Sequence, residues 1–222
     1  MIRGVLFDFS GTLFRLEPQA GWLDDHAADE ELNERLTQVL TAPTLSGDHL
    51  PADLVEAWGR RDLDPEVHRT VYLASLVAAG IEFPAGGAEA VYARSTDPVS
   101  WRPYPDTVAV LRRLRDAGVP VAVVSNIAWD IREAFRRHDV VELVDEFVLS
   151  YEEGVVKPDL KIFTVACQRL GLPPEQVLMV GDSAEADGAA VGIGCTTAIV
   201  EALPIERRPS ALTDVLATHH LG

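Results

Sequence analysis

The feature that most constrains the fold is an alternation of short apolar runs with helical segments in the second half of the chain. Runs with the composition and length of buried strands lie at 119–124, 147–149, 177–180 and 196–200. Segments with helical periodicity separate them, at 105–117, at 130–138 and in a stretch that Asp159 caps. Strands that alternate with helices are joined by right-handed crossovers and form a parallel sheet covered on both faces. The sequence therefore predicts an α/β fold with a Rossmann-like parallel sheet.

The apolar run at 2–9 predicts one more buried strand, and a long segment of different character follows it. This segment, 15–99, shows helical patterning without convincing strands, with helices predicted at 24–40, 51–60 and 65–79 and a short one ending at Arg94. We therefore expect an α/β core of residues 1–14 and 100–222 with a helical cap of residues 15–99 inserted into it. Parallel sheets bind ligands at the carboxyl ends of their strands, so an insertion there can cover the site and exclude water.

Net charge limits the partners of this chain. Its 19 basic and 35 acidic residues give a net charge of −16, which repels nucleic acid and anionic membrane surfaces. A small phosphorylated substrate remains compatible, because a bound divalent cation can reverse the field of one pocket. No apolar run reaches the roughly 20 residues that cross a bilayer, and an acidic residue at position 8 comes too early for a secretory signal. We expect a cytoplasmic protein, monomer or homodimer, without nucleic-acid or membrane partners.

Polar residues follow several of the predicted strands, at the ends that open onto a common crevice in a parallel sheet. Asp8 ends the first apolar run, and Asp182 ends the run at 177–180 in the same way. Taken alone, each could be an aspartate that caps its own turn. Two carboxylates facing one crevice suit a hard cation such as Mg²⁺. The cation would neutralise them and hold phosphate oxygens against Asp8.

Three further residues could act on a phosphoryl group. Lys157 is one of only two lysines in the chain, and it precedes the helix that Asp159 caps. It is either a solvated surface lysine or a compact ammonium that pairs with Asp8 and with a transferring phosphoryl group. Ser125 and Asn126 follow a β-branched strand; they could donate to phosphate oxygens, although such a pair is also typical of a turn.

Together these segments resemble the haloacid dehalogenase-like hydrolase superfamily. That family combines an Asp-x-Asp-Gly-Thr segment, a Ser or Thr after the second strand, a distant Lys and a Gly-Asp-x4-Asp segment. Here Asp8 and the Gly-Thr pair of 8–12 match the first element, and the others match in order at Ser125, Lys157, Asp182 and Asp187. The core segments 1–14 and 100–222 carry the match, whereas 15–99 resembles the family's helical cap by position only.

The resemblance implies a mechanism in which Asp8 attacks phosphorus and forms an aspartyl-phosphate. It implies Mg²⁺ held by the Asp8 carboxylate, the backbone carbonyl of Ser10 and the side chain of Asp182. Asp187 would orient Lys157 or a water on the metal. The residues expected to bind the substrate phosphate are Gly11, Thr12, Ser125, Asn126 and Lys157.

Ser10 departs from the family pattern, because phosphatases of this family carry a second aspartate there. That aspartate protonates the leaving group and then activates water, and such acid–base catalysis raises the rate roughly 10²- to 10⁴-fold. Three interpretations follow: a slowed Mg²⁺-dependent phosphatase or phosphotransferase, a catalytically weak module that binds a phospho-ligand or protein, or a 2-haloacid dehalogenase. Asp182 argues against the last, since the dehalogenase branch needs no metal. The phosphonate-cleaving branch needs a cap lysine, and 15–99 contains none.

Overall fold

The computed structural model describes residues 1–17, 31–32, 50–78, 80 and 82–221. Its centre is a five-stranded parallel sheet of β1 (Gly4–Phe7), β4 (Val121–Ser125), β5 (Glu146–Leu149), β6 (Val177–Gly181) and β7 (Thr196–Ile199). The order of the strands across the sheet is β5-β4-β1-β6-β7. This arrangement confirms the predicted parallel α/β fold, and it places the first strand of the chain in the middle of the sheet.

Both faces of the sheet are covered, as alternate residues of β1 show. Val5 and Phe7 contribute to one buried apolar cluster, and Leu6 between them contributes to another. A strand buried on both sides needs a nearly continuous apolar sequence, which explains why the strands read as unbroken hydrophobic runs. The helices around the sheet are α4 (Thr107–Asp116), α5 (Arg132–Arg136), α6 (Ser150–Glu153), α7 (Leu160–Arg169) and α8 (Ala211–Thr218).

A second, two-stranded antiparallel sheet lies where the long insertion leaves and rejoins the rest of the chain. It pairs β2 (Phe14–Leu16) with β3 (Trp101–Pro103), with Arg15 opposite Arg102. The expectation that 15–99 contains no strand is therefore wrong at its first residues. A strand of three residues is too short to show the alternation by which strands are found in a sequence.

Between β2 and β3 the described residues form α1 (Ala52–Gly59), α2 (Pro65–Ala78) and α3 (Gly87–Thr96). These confirm the three helices predicted after position 50, whereas the one predicted at 24–40 lies almost entirely outside the described residues. The predicted cap at the start of α7 is also confirmed, since Asp159 Oδ1 accepts the Lys161 N–H at 2.9 Å. No helix in the described part of the chain combines the length and apolar character needed to cross a bilayer.

Candidate active site

Asp8 lies one residue beyond the end of the central strand β1, on a tight loop. Its side chain is buried, and the residue is 5% exposed. The Gly11 N–H donates to the Phe14 carbonyl at 2.7 Å, and Gly11 has a φ of 77°, which a residue with a side chain rarely adopts. A Cβ at Gly11 would also lie 2.3 Å from Asp182 Oδ2. Glycine at this position therefore allows both the turn and the close approach of the second carboxylate.

Lys157 bridges two buried carboxylates at this end of the sheet. Its Nζ donates to Asp8 Oδ1 and to Asp187 Oδ1, at 2.6 Å in each case. Desolvation acts to lower the pKa of the ammonium, but the two carboxylates outweigh it and the pKa of Lys157 is raised. Burial raises the pKa of Asp8, and Lys157 opposes that rise. The three groups hold one another in place, because each would be costly to bury alone.

Asp182, directly after β6, completes a cluster of carboxylates. One oxygen each of Asp8, Asp182 and Asp187 lie within 4.8 Å of one another. Burial raises the pKa of Asp182, and the Asp187 charge raises it further. Within the described part of the chain, no hydrogen bond joins the Asp182 side chain to another side chain, so one ammonium faces three carboxyls. A surplus of hard anionic oxygens at this spacing fits a divalent cation such as Mg²⁺.

Asp187 differs from the other two carboxylates because both of its oxygens are engaged. Oδ1 accepts from Lys157, and Oδ2 accepts the Ser183 N–H at 3.0 Å. Gly181 makes room for it, since a Cβ there would lie 2.1 Å from Asp187 Cγ. Asp187 therefore fits the expected role of orienting Lys157 better than that of a direct metal ligand.

Asn126 ties the loop after β4 to Lys157. Its Oδ1 accepts the Lys157 N–H at 2.7 Å, and its Nδ2 donates to the Lys157 carbonyl at 2.9 Å. The side-chain amide thus fixes the backbone that carries the ammonium, a contact that the sequence did not suggest. Ser125, the last residue of β4, is buried beside the central strand.

The remaining predicted residues lie on the Asp8 loop and have contrasting exposure. Ser10 is exposed, whereas Thr12 is fully buried, with no hydrogen-bond partner for its hydroxyl among the described residues. The phosphate contacts expected of Gly11, Thr12, Ser125 and Asn126 stay predictions, as does the metal contact of the Ser10 carbonyl.

Arg208 is a buried cation at this loop that the sequence analysis missed. Its Nη1 donates to the Gly11 carbonyl at 2.6 Å, its Nη2 donates to the Thr12 carbonyl, and its guanidinium lies 3.1 Å from the centre of the Tyr104 ring. Burial lowers the pKa of Arg208. It is far from the loop in sequence and belongs to no recognisable motif, so no local signal could have revealed it.

We expect Arg208→Met to destabilise the protein, because two buried carbonyls would lose their donor. An unsatisfied buried acceptor costs about 1–3 kcal/mol, so the free energy of unfolding in urea should fall by about 2 kcal/mol or more. Arg207→Met, at the exposed neighbouring position, removes the same charge and should leave that free energy almost unchanged. Equal losses in the two variants would contradict a specific role for Arg208.

The chain is similar to known proteins in both sequence and structure. A family model described as haloacid dehalogenase-like hydrolase matches residues 2–191. A glyceraldehyde 3-phosphate phosphatase of Methanopyrus kandleri is 32% identical over 202 residues, which cover 84% of this chain and 78% of that protein. An (S)-2-haloacid dehalogenase of Pseudomonas fluorescens is 33% identical over 93 residues, 41% of each chain. A crystal structure described as a dehalogenase has a TM-score of 0.72 at 22% identity, covering 98% of this chain and 96% of its own.

Proposed function

The chain belongs to the haloacid dehalogenase-like hydrolase family, and on that premise we propose that it hydrolyses a small phosphorylated substrate at Asp8 with the help of Mg²⁺. The observation that carries the proposal is the cluster of Asp8, Asp182 and Asp187, in which the Lys157 ammonium bonds the first and the third. Such a centre attracts a divalent cation, and with the cation bound it attracts phosphate. The phosphatase of Methanopyrus kandleri, which aligns over most of both chains, supports this choice of substrate class.

In the proposed reaction, a carboxylate oxygen of Asp8 attacks phosphorus and the bond to the leaving oxygen breaks. Water then attacks the aspartyl-phosphate and releases inorganic phosphate, so that one difficult step becomes two easier ones. Lys157 holds Asp8 in place and neutralises charge that develops on the phosphoryl oxygens. Asp187 and Asn126 fix the side chain and the backbone of that lysine.

The residues proposed to hold Mg²⁺ are Asp8, Asp182 and the backbone carbonyl of Ser10. A bound Mg²⁺ would neutralise the surplus carboxylate charge and act as a Lewis acid on the phosphoryl group. We also propose that residues 15–99 form a cap over the site. The pairing of β2 with β3 supports this division, because both ends of the insertion then leave the core side by side.

Ser10 gives a direct test of the proposed chemistry. We expect Ser10→Asp to raise the rate of p-nitrophenyl phosphate hydrolysis by about tenfold, because a carboxyl two residues after the nucleophile can activate the water that attacks the aspartyl-phosphate. The full value of such a relay, roughly 10²- to 10⁴-fold, is the upper limit of the gain. Phosphate release at saturating Mg²⁺ measures the effect, and a folded, metal-binding variant with no gain would contradict the missing-relay explanation.

A phosphate-release screen over small phosphorylated metabolites tests the function itself. We expect release that requires Mg²⁺ and stops when the metal is chelated. Silence over the whole panel, together with measurable Mg²⁺ affinity, would instead favour a module that binds a phospho-ligand or a protein partner.

A 2-haloacid dehalogenase is the second candidate, favoured by the relatives of that class and by the absence of an acid at Ser10. Halide needs no proton to leave, so Asp8 alone could displace it from carbon. Against this stands Asp182, whose carboxylate would repel the carboxylate of a haloacid in the absence of a cation. Chloride release from (S)-2-chloropropionate without added metal would overturn the phosphatase proposal.

A further inference from the structure

Asp62 is a carboxylate that the inserted segment brings to the edge of the site. It lies between α1 and α2, and its side chain is 13% exposed. Every other acidic residue within 50–78 and 82–100 is exposed to solvent. A single sheltered carboxylate on a strongly acidic segment requires a reason, because burial of a charge is costly.

A chain of hydrogen bonds fixes Asp62 relative to the nucleophile. Ser150 Oγ donates to the Asp62 carbonyl at 2.6 Å and accepts the Ile127 N–H at 2.9 Å. Ile127 directly follows Asn126, which clamps the backbone of Lys157, and Lys157 bonds Asp8. The insertion is therefore connected to the reacting centre through the loop after β4.

A second contact holds the insertion against the same loop. The ring of His68, on α2, meets the ring of Trp129 edge to face, with centroids 5.0 Å apart. His68 is buried, and its Nδ1 lies 3.2 Å from the Tyr92 hydroxyl. Asp62 thus sits on a segment anchored at two points, which is the rigidity that a catalytic group requires.

The Asp62 carboxyl is sheltered from solvent and pairs with a guanidinium. Among the described residues it pairs with Arg61, whose Nη2 lies 3.4 Å from Asp62 Oδ2 and whose Nη1 donates to the Trp58 carbonyl. Burial raises the pKa of the Asp62 carboxyl, while the charges of Arg61 and then Lys157 oppose the rise. The Asp62 carbonyl bonds Ser150, which directly follows β5, and Ser150 bonds Ile127 beyond β4, so Asp62 lies at the end of the sheet that carries Asp8.

We propose that Asp62 is the general acid and base of the reaction, in place of the carboxyl that is missing at Ser10. The proposal rests on the phosphatase function proposed above. In an in-line displacement the leaving oxygen departs on the side of phosphorus opposite to the attacking Asp8 oxygen. A group on the inserted segment can approach that side, which is also where the second aspartate of the family's phosphatases acts.

The proton balance of the two steps is complete with Asp62 alone. As Asp8 bonds to phosphorus and the ester bond breaks, the protonated Asp62 gives its proton to the leaving alkoxide, which departs as an alcohol. In the second step the Asp62 carboxylate takes a proton from water as the water oxygen attacks phosphorus and the bond to Asp8 breaks. Hydrogen phosphate leaves, and Asp8 and Asp62 regain their starting forms.

The test compares Asp62→Asn with wild type on two substrates whose leaving groups differ in basicity. Glycerol phosphate releases a basic alkoxide that needs a proton, so we expect its kcat/KM to fall by about 10²-fold or more. p-Nitrophenol leaves without help, so the first turnover on its phosphate should stay near the wild-type rate as a burst, followed by slower release of phosphate. Equal losses on both substrates, or no loss on glycerol phosphate, would overturn the role of Asp62.

Two further variants separate catalysis from structure. Asp64→Asn removes a neighbouring carboxylate that caps α2, and asparagine caps equally well, so hydrolysis of both substrates should be retained.

Adding Ser10→Asp to Asp62→Asn should restore glycerol phosphate hydrolysis by a larger factor than Ser10→Asp gives in the wild type. If wild type releases phosphate and Asp8→Asn does not, but Asp62→Asn affects both substrates equally, the phosphatase function stands and the role of Asp62 is wrong. If wild type releases none, both fail.

Discussion

Asp8→Asn is expected to lower phosphate release by about 10⁴-fold or more, since loss of a covalent nucleophile typically has effects of this size. The amide is almost the same size as the carboxylate but cannot attack phosphorus. It also cannot form the acyl phosphate through which the proposed reaction passes. Steady-state phosphate release at saturating Mg²⁺ measures the loss, and labelled phosphate retained on acid-quenched protein should be found in wild type and not in the variant.

The structure indicates that this loss would not come from unfolding. Asp8 lies against two other carboxyls, so removing its charge relieves repulsion as it breaks one of the two bonds to Lys157. We therefore expect a melting temperature within a few degrees of wild type. Asp116→Asn, at an exposed site on α4, is the matched control and should keep full activity. Turnover of Asp8→Asn within tenfold of wild type would refute the nucleophile assignment.

The fold was predictable because strands that are buried on both faces have a recognisable sequence pattern. Strands such as β4 and β6 are buried on both faces, so each appears as an unbroken apolar run between helices. Asp8 and Asp182 could then be placed together, because both follow such runs and parallel strands end at one edge. Short elements were not predicted in this way, because β2 and β3 have three residues each, too few to show any periodicity.

The supporting residues could not be predicted, because their roles depend on contacts between distant parts of the chain. Arg208 bonds carbonyls of the Asp8 loop across almost the whole sequence, and the Asp62 carbonyl accepts a hydrogen bond from Ser150, which is 88 residues away. Neither occurs in a motif, and an arginine or aspartate in a polar loop is usually solvated. The sequence suggested that Asn126 donates to phosphate or lies in a turn, whereas in the structure its amide holds the backbone of Lys157. Sequence spacing identifies groups that react, but not those that hold them.

Lys157→Met is expected to be the most destabilising substitution in the site. It leaves Asp8 and Asp187, which are 5% and 1% exposed, without the ammonium that both of them bind. Breaking a buried ion pair from one side costs about 3–5 kcal/mol, and we expect a loss of this size in the free energy of unfolding at pH 7 without metal. Activity should fall as well, because the charge that stabilises the phosphoryl oxygens is gone.

The pH dependence of that loss identifies its cause. Burial raises the pKa of Asp8 and Lys157 opposes that rise, so without the lysine the pKa of Asp8 rises further above its unfolded value and the folded state binds more protons than the unfolded state. The free energy of unfolding of the variant therefore decreases as the pH rises from the unfolded pKa to the folded pKa. The difference in this free energy between the variant and wild type should be smaller in acid. Lys161, the other lysine of the chain, is exposed, so Lys161→Met should show neither the loss of stability nor its pH dependence. A deficit that stays constant from pH 4 to pH 8 would mean that packing, rather than unpaired charge, accounts for the effect.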